Sequence, residues 1–429
     1  MKKYILTACA GILALSSADM MAQPSIDGYY KDVFMDGGVY LSSRIDLPAT
    51  RVLGLSLELV KGAGRNKNQS YADTTAQNAA FVGNEYDVNG VLLYPDGAPR
   101  FRLLYVNGGS GATHGRTITD AGRQHIREFV KGGGSYLGSC AGAYLCCQGT
   151  HKKDSTGRDY NKYYKEYIGV YPGVCTNAGL ANTFVSIDVP ENSPALKYYD
   201  FKNNHIDSVY HNGGCFMPYE DLIEGGEILF NYNYPPKKMH GNGAVWCHKE
   251  NEYTGRAMAC GPHPEGEVRG AQLDMMCAMV RYCLDGNGLP RIKGELVKGQ
   301  PREMTCITED NKPEYTRIGD RQYHHFTVDV PAGIDTLDII LKEVPGYNDF
   351  NLFLFADSDD MAFIKNARYK NVKRGVKKVL RIIDPKPGKM YVSVFCETTV
   401  EATETFYGTQ YTGRVDVLNG VPYVIEVNY

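Results

Sequence analysis

Surplus charge is what this 429-residue chain lacks most clearly: 46 Lys and Arg face 49 Asp and Glu, a formal net of -3. That balance excludes a general attraction to nucleic acid or to an anionic membrane. Long apolar runs are missing too. The stretch Ile5 to Leu15 is too short to cross a bilayer as a helix, and no later segment is long enough. Neither CxxC pairs nor histidine-rich spacings occur, so no metal site and no other cofactor is expected. Internal repeats and low-complexity tracts are absent, which excludes a repeat architecture. Tryptophan is nearly absent; Trp246 stands at the start of a hairpin with "GRAMAC" and is expected in the core.

The N-terminus has the pattern of an export signal. Lys2 and Lys3 supply the positive end, Ile5 to Leu15 the apolar stretch, and small residues lead to a cut after Ala22. Residues 1–22 are therefore expected to be removed, leaving no transmembrane segment in a periplasmic or secreted protein. Twelve cysteines less Cys9 leave eleven, an odd number for an oxidising compartment. If Cys140 stays a thiol, ten remain to pair, and Cys306 with Cys396 is the expected disulfide. Cys277 and Cys283 share a predicted helix but face different sides, and Cys146 and Cys147 read as buried small residues.

Residues 24–290 alternate strand-like and helix-like stretches. "YYKDVFMDGG" reads as a strand, "LPATRVLGLSLELV" as a helix with Leu53, Leu57 and Val60 on one face, and "FRLLYVNGGSG" as a strand entering a glycine loop. "TDAGRQHIREFVKGGG" reads as a helix capped by Thr119 and stopped at Gly132. Apolar strands alternating with helices predict an α/β domain, a mostly parallel sheet covered on both faces. Residues 291–300 read as a linker. Beyond it, 301–429 turns to short alternating strands separated by Gly, Pro, Asp and Asn, the pattern of a smaller all-β sandwich. There His324 and His325 are expected to split, one inward and one outward. "ADSDD" (356–360) and "KNVKRGVKK" (370–378) read as solvated surface.

The chemistry concentrates in "YLGSCAGAYL". A strand, then Gly138-Ser139-Cys140-Ala141-Gly142, then a helix is the cysteine form of a nucleophile elbow. The turn forces Cys140 into a disfavoured backbone region, so its neighbours must lack bulk. A helix that begins at the sulfur favours thiolate through its N-terminal dipole. Downstream, "GPHPEG" brings His263 and Glu265 off the end of one strand, spaced so that the carboxylate can orient the imidazole as a base. The Gly108-Gly109 loop exposes main-chain amides, which with Ala141 are expected to form an oxyanion hole.

This order of glycine loop, elbow and "HPE" resembles the class I glutamine amidotransferase-like superfamily. "GGSYLGSCAGAYL" and "GPHPE" are most similar to the biotin–protein ligase N-terminal-like family. The resemblance spans roughly 28–290 and implies a flavodoxin-like fold with helices on both faces, with Cys140 as nucleophile, His263 as base and Glu265 as its orienting acid. "VYHNGGCF" resembles a glycine-bearing stretch of that family, which puts Tyr210, Asn212, Gly213 and Gly214 either in the pocket or in a simple turn. The part after residue 290 does not read as a ligase catalytic domain. It resembles the bacterial pre-peptidase C-terminal sandwich through "YHHFTVDVPAG", "NDFNLFLFADS" and "PGKMYVSV", implying contact with a cell surface or polymer rather than chemistry. The expected function is an exported cysteine-dependent hydrolase of small-molecule or peptide amides. A binding or adhesion protein on the same fold and a glutaminase are the alternatives.

Overall fold

Short apolar runs bounded by glycines build the centre of the molecule. The computed structural model describes residues 28–39, 46–60, 80–235, 237–405 and 408–429, so the expected signal segment 1–22 lies outside the described residues. Nine strands of the first half share one sheet: β1 (Lys31–Asp36), β2 (Leu57–Val60), β3 (Phe101–Val106), β4 (Ser135–Ser139), β5 (Thr183–Asp188), β6 (His205–His211), β7 (Gly226–Asn233), β8 (Gly243–His248) and β9 (Ala257–Cys260). Its helices are α1 (Pro48–Val52), α2 (Gly111–Lys131), α3 (Ala141–Cys146) and α4 (Gly270–Leu284).

The parallel block runs β2-β1-β3-β4-β9. Alternation sorts its side chains. Phe34, Leu104, Val106 and Tyr136 join Ile118, Ile126 and Phe129 of α2 in one core cluster. Val33, Met35, Leu103, Tyr105 and Leu137 join Ala49 of α1 and Met275, Met276 and Met279 of α4 in another. Each fully buried side chain of this kind contributes about 1.5–3 kcal/mol.

The expected mostly parallel sheet is corrected in proportion: among the described residues the sheet has eleven strands, and β8, β7, β5 and β6 extend it with antiparallel pairings. No crossover helix separates β8 from β9 or β5 from β6, and without one a neighbouring strand must return antiparallel. The other edge is more unexpected. A hairpin of Glu401–Thr405 and Gly408–Thr412 leaves the C-terminal region and pairs with β2. The chain is thus mixed α/β, with large sheets and few helices.

The helix expected across "LPATRVLGLSLELV" stops early. It covers Pro48–Val52, Gly54 adopts φ 65°, and Leu57–Val60 becomes β2 beside β1. Thr119 does not cap an isolated helix; it sits at φ 68°, ψ 175° as a kink within α2.

The C-terminal region packs a five-stranded sheet against a four-stranded one. Val328, Leu354 and Val392 from the first meet Ile339, Ile382 and Ile425 from the second. Residues 291–300 are not a free tether, because Ile292–Glu295 pairs as a strand with Tyr323–Val330. His324 and His325 do not split between core and solvent: both are buried, on Tyr423 and Ser393 respectively, because Tyr323, Phe355, Phe363 and Phe395 cover the second face.

The expected Cys306–Cys396 disulfide is absent, and all eleven described cysteines are free thiols. The backbone of Cys306 pairs with Tyr315 and Arg317, whereas that of Cys396 pairs with Gln322 and Arg321. The two belong to different hydrogen-bonded segments, and the Cys396 thiol turns to the Thr398 carbonyl at 3.4 Å.

Candidate active site

β4 runs straight into the elbow, and the elbow's glycines are there for backbone clearance. A Cβ on Gly138 would lie 2.3 Å from the carbonyl carbon of Gly142, and one on Gly142 would lie 2.3 Å from the carbonyl oxygen of Val106. Strand, turn and α3 therefore interlock only if both residues are glycine. Between them Cys140 holds φ 50°, ψ -103°, a conformation that costs on the order of 1–3 kcal/mol and persists only where surroundings enforce it. Enforcement comes from β9, whose Cys260 carbonyl accepts the Cys140 amide at 2.9 Å, and from the Tyr144 amide, which binds the Cys140 carbonyl at 3.1 Å.

β9 also delivers the imidazole. Three residues past its end, the His263 amide donates to the Tyr210 carbonyl of β6 at 2.8 Å. The His263 Nδ1 meets Glu265 Oε1 at 2.8 Å, with both side chains largely buried. Cys140 lies within side-chain hydrogen-bonding reach of the same ring, and its thiol is 3.4 Å from the Asn212 carbonyl. Burial pulls the pKa of His263 down, but the Glu265 carboxylate and the Cys140 sulfur more than reverse this and push it up to about 11. The ring is thus held as an imidazolium between a carboxylate and a sulfur. The structure brings Cys140, His263 and Glu265 together.

The predicted oxyanion donors fare differently. Gly108 packs so tightly that a Cβ there would be 2.7 Å from His263 Cε1 and 3.3 Å from Cys140 Cβ. Its amide, however, donates to Asn107 Oδ1 at 3.0 Å, which occupies that donor in this conformation. Gly109 sits at φ 129° on the exposed side of the loop. Ala141 opens α3, where first-turn amides have no acceptor within the helix.

Of the expected pocket residues, Tyr210 lays its ring 5.7 Å from the His263 ring, and Asn212 supplies the carbonyl on the thiol. Gly213 and Gly214 accept from the Tyr144 hydroxyl at 3.3 and 3.2 Å. Gly214 is a close-approach glycine as well, since a Cβ there would lie 2.0 Å from the Gly261 carbonyl oxygen.

Five participants escaped the sequence reading. Asn107 immediately precedes the glycine pair and keeps a buried Nδ2 without a partner. Tyr144, one turn after the cysteine, ties α3 to the 213–214 loop. His211 is fully buried beside the site, and neither ring nitrogen makes an aligned hydrogen bond, although the Leu180 carbonyl lies close enough to act on the ring. Burial, reinforced by the charge on His263, takes its pKa down to about 4, so it stays neutral. Beneath the loop, Asp36 and His114 are fully buried 2.6 Å apart, and the Asp36 carbonyl accepts the Asn107 amide at 3.0 Å. The position of Asn107 before the glycines was the one readable signal; the rest required long-range contacts.

A curated relative, an uncharacterized protein of Chlamydia muridarum, is 25% identical over 201 residues, 46% of this chain and 74% of that one. Among solved structures, a glutamine amidotransferase is 16% identical with TM-score 0.34, covering 58% of this chain and 96% of its own. A putative ThuA-like protein from Bacteroides uniformis is 13% identical with TM-score 0.34, covering 61% and 95%. The pre-peptidase C-terminal domain of a Bacillus anthracis collagenase is 12% identical with TM-score 0.18, covering 32% and 98%. Residues 59–278, just over half of the chain and inclusive of the elbow and the His263–Glu265 turn, match the family described as "Biotin-protein ligase, N terminal", and the chain belongs to that family.

Proposed function

We propose that this protein is an exported cysteine hydrolase of carbon–nitrogen amide bonds. The reading is supported above all by one observation: a thiol on a backbone held at φ 50° lies in reach of an imidazole that is itself bound to a buried carboxylate. In the first step the Cys140 sulfur, its proton taken up by the His263 ring, attacks the carbonyl carbon, and the carbonyl electron pair moves onto oxygen, beside the amides of Gly109 and Ala141. Collapse breaks the carbon–nitrogen bond while His263 gives its proton to the leaving amine. Water then attacks the thioester, His263 takes its proton, and the sulfur–carbon bond breaks to release a carboxylic acid. Glu265 keeps the ring in the tautomer and orientation this exchange needs. Gly108 joins the oxyanion donors if its amide leaves Asn107.

Export rests on the Lys2–Ala22 pattern. The flavodoxin-like reading rests on the strand order β2-β1-β3-β4-β9, in which Cys140 sits at the carboxyl end of β4, where ligands of open α/β sheets bind. A surface- or polymer-contacting role for the C-terminal sandwich belongs to the same proposal.

The test is labelling with an electrophilic thiol reagent beside a panel of amide substrates, for wild type and Cys140→Ala. The expected outcome is preferential modification of Cys140 and a loss of turnover of roughly 10⁴-fold or more in a variant that stays folded. A fully active Cys140→Ala protein ends the reading.

A further inference from the structure

A cavity of about 320 Å³ lies away from Cys140, where the hairpin strand Gly408–Thr412 meets β2. Phe34, Leu59, Val60 and Leu418 form its buried apolar wall, and the exposed Asn84, Tyr86 and Gln410 stand at its rim. Among the described residues, Asp87 is the one acidic or basic side chain in the lining. It is 6% exposed, yet its carboxylate takes no hydrogen bond and no ion pair from any described residue. The turn that carries it is held by the main chain, with the amides of Asn84 and Asp87 each donating to the other's carbonyl. The carboxylate is thus not spent on local structure.

We propose that this cavity binds a primary amine with a hydrocarbon body, its ammonium on Asp87 and its body against the apolar wall. Charge decides the first half. The neighbouring buried carboxylates already have their cations: Glu58 has Lys31, and Asp320 takes Nε and Nη2 of Arg100. Arg100 attracts Asp87 without coming within ion-pair distance, since its remaining donor group serves Val91 and Tyr411. Burial outweighs that attraction and pushes the Asp87 pKa up to about 7. An unmet buried carboxylate is costly, and a bound cation removes the cost. One carboxylate suits a monovalent cation, because a divalent metal ion asks for several oxygen ligands. The wall decides the second half: its side chains offer no polar atoms, and hydrocarbon gains by leaving water against them. The site goes beyond the hydrolase reading and does not depend on it, since no residue of the Cys140 corner lines the cavity.

The test uses the full-length wild-type chain at about pH 8.5, where Asp87 is ionised and an alkylamine keeps its proton. n-Hexylamine is titrated calorimetrically, with n-hexanol and hexanoate as neutral and anionic chains of the same length. The amine is expected to bind about tenfold or more tightly than the alcohol, the scale of a hydrogen bond to a charged group. Hexanoate is expected not to bind. Asp87→Asn keeps the shape of the side chain and should erase the preference for the amine. Hydrogen exchange in the wild type locates the site: hexylamine is expected to slow the amides of residues 84–91 and Gly408–Thr412 severalfold. That measurement, with the amine–alcohol comparison, decides the matter even where Asp87→Asn fails to fold. Absence of hexylamine binding, equal affinity for hexanol, or an unchanged preference in folded Asp87→Asn overturns the inference. Binding that leaves exchange in both segments untouched overturns it as well. None of these outcomes bears on Cys140, whose labelling is read separately.

Discussion

Two buried polar clusters in this molecule invite comparison. One is the corner of Cys140, His263 and Glu265. The other is the seam where the C-terminal region meets the first sheet. In the seam, Arg100 is 2% exposed and donates from Nε and Nη2 to Asp320, each at 2.9 Å, and from Nη1 to the Val91 carbonyl and the Tyr411 hydroxyl. Glu58 accepts from Tyr30, Lys31 and Tyr411. The guanidinium also lies 4.0 Å over the Tyr30 ring. The corner is the opposite. Glu265 Oε2, both nitrogens of His211 and Asn107 Nδ2 are buried without a hydrogen-bond partner among the described residues, and Cys140 holds a strained backbone. An unmet buried polar group costs about 1–3 kcal/mol. The Arg100–Asp320–Glu58 knot has its charges paired, as a permanent joint should, even though Tyr94 Oη beside it is buried without a partner among the described residues; the corner keeps unused capacity for a ligand.

The largest effect should come from the corner's carboxylate. Glu265→Gln is expected to lower turnover by roughly 10⁴-fold, the scale seen when the third member of a triad loses its charge. It also carries a pH signature. His263 is held up to about 11 against an ordinary 6.5. A histidine raised on folding stabilises the fold fully below its ordinary pKa and loses that contribution as pH climbs through the raised one. The stability gap between wild type and variant, read from urea melts at successive pH values, should therefore be widest on the acid side of 6.5 and shrink on the way to about 11. A gap that widens with pH would remove Glu265 as the source of the shift.

Next in size is the seam. Arg100→Ala strands Asp320 and takes a donor from the Tyr411 hydroxyl, so it is expected to cost about 3–5 kcal/mol. The loss should appear in urea unfolding. Because the hairpin of Glu401–Thr405 and Gly408–Thr412 pairs with β2 beside this knot, hydrogen exchange should accelerate in both. A stable Arg100→Ala protein would show that the seam is ornamental.

Gly108→Ala probes the corner without touching a functional group. The new Cβ at 2.7 Å from His263 Cε1 must push the ring by a few tenths of an ångström or more. Misplacement on the order of 1 Å costs about 10²-fold in rate, so kcat should fall on that scale while the unfolding midpoint barely moves. Equal turnover would mean that the ring has slack, against the tight packing described above.

How far sequence alone reached divides along the same line. The elbow was legible because Gly138 and Gly142 are imposed by backbone distances near 2.3 Å, and such constraints leave a fixed local spelling. His263 and Glu265 were legible because two residues of spacing suffice to set their contact. The seam was not legible. Arg100 and Asp320 are 220 residues apart, and the hairpin that completes the first sheet is written in mostly polar residues, with Gly408 and Tyr411 turned inward and no core pattern to announce a strand. Leu53, Leu57 and Val60 fit a helical period by coincidence, and the short strand Leu57–Val60 won because β1 offered a parallel edge.

The smallest expected effect concerns covalent chemistry that neither cluster uses. Counting cysteines suggested a Cys306–Cys396 bridge, but number is not proximity, and the two thiols hang from separate backbone ladders. A disulfide closing a loop of nearly that length, about 100 residues, would add about 4–5 kcal/mol in the chain-entropy picture. Cys306→Ser should instead change stability by no more than about 0.5 kcal/mol, as for a surface substitution away from special contacts, and urea melts of wild type should superimpose with and without dithiothreitol. If reductant lowers the wild-type stability by several kcal/mol and leaves Cys306→Ser unmoved, the C-terminal region is stapled after all. The Arg100–Asp320 pair would then be one of two fastenings, and the contrast between a saturated joint and an unsaturated corner would lose half its force.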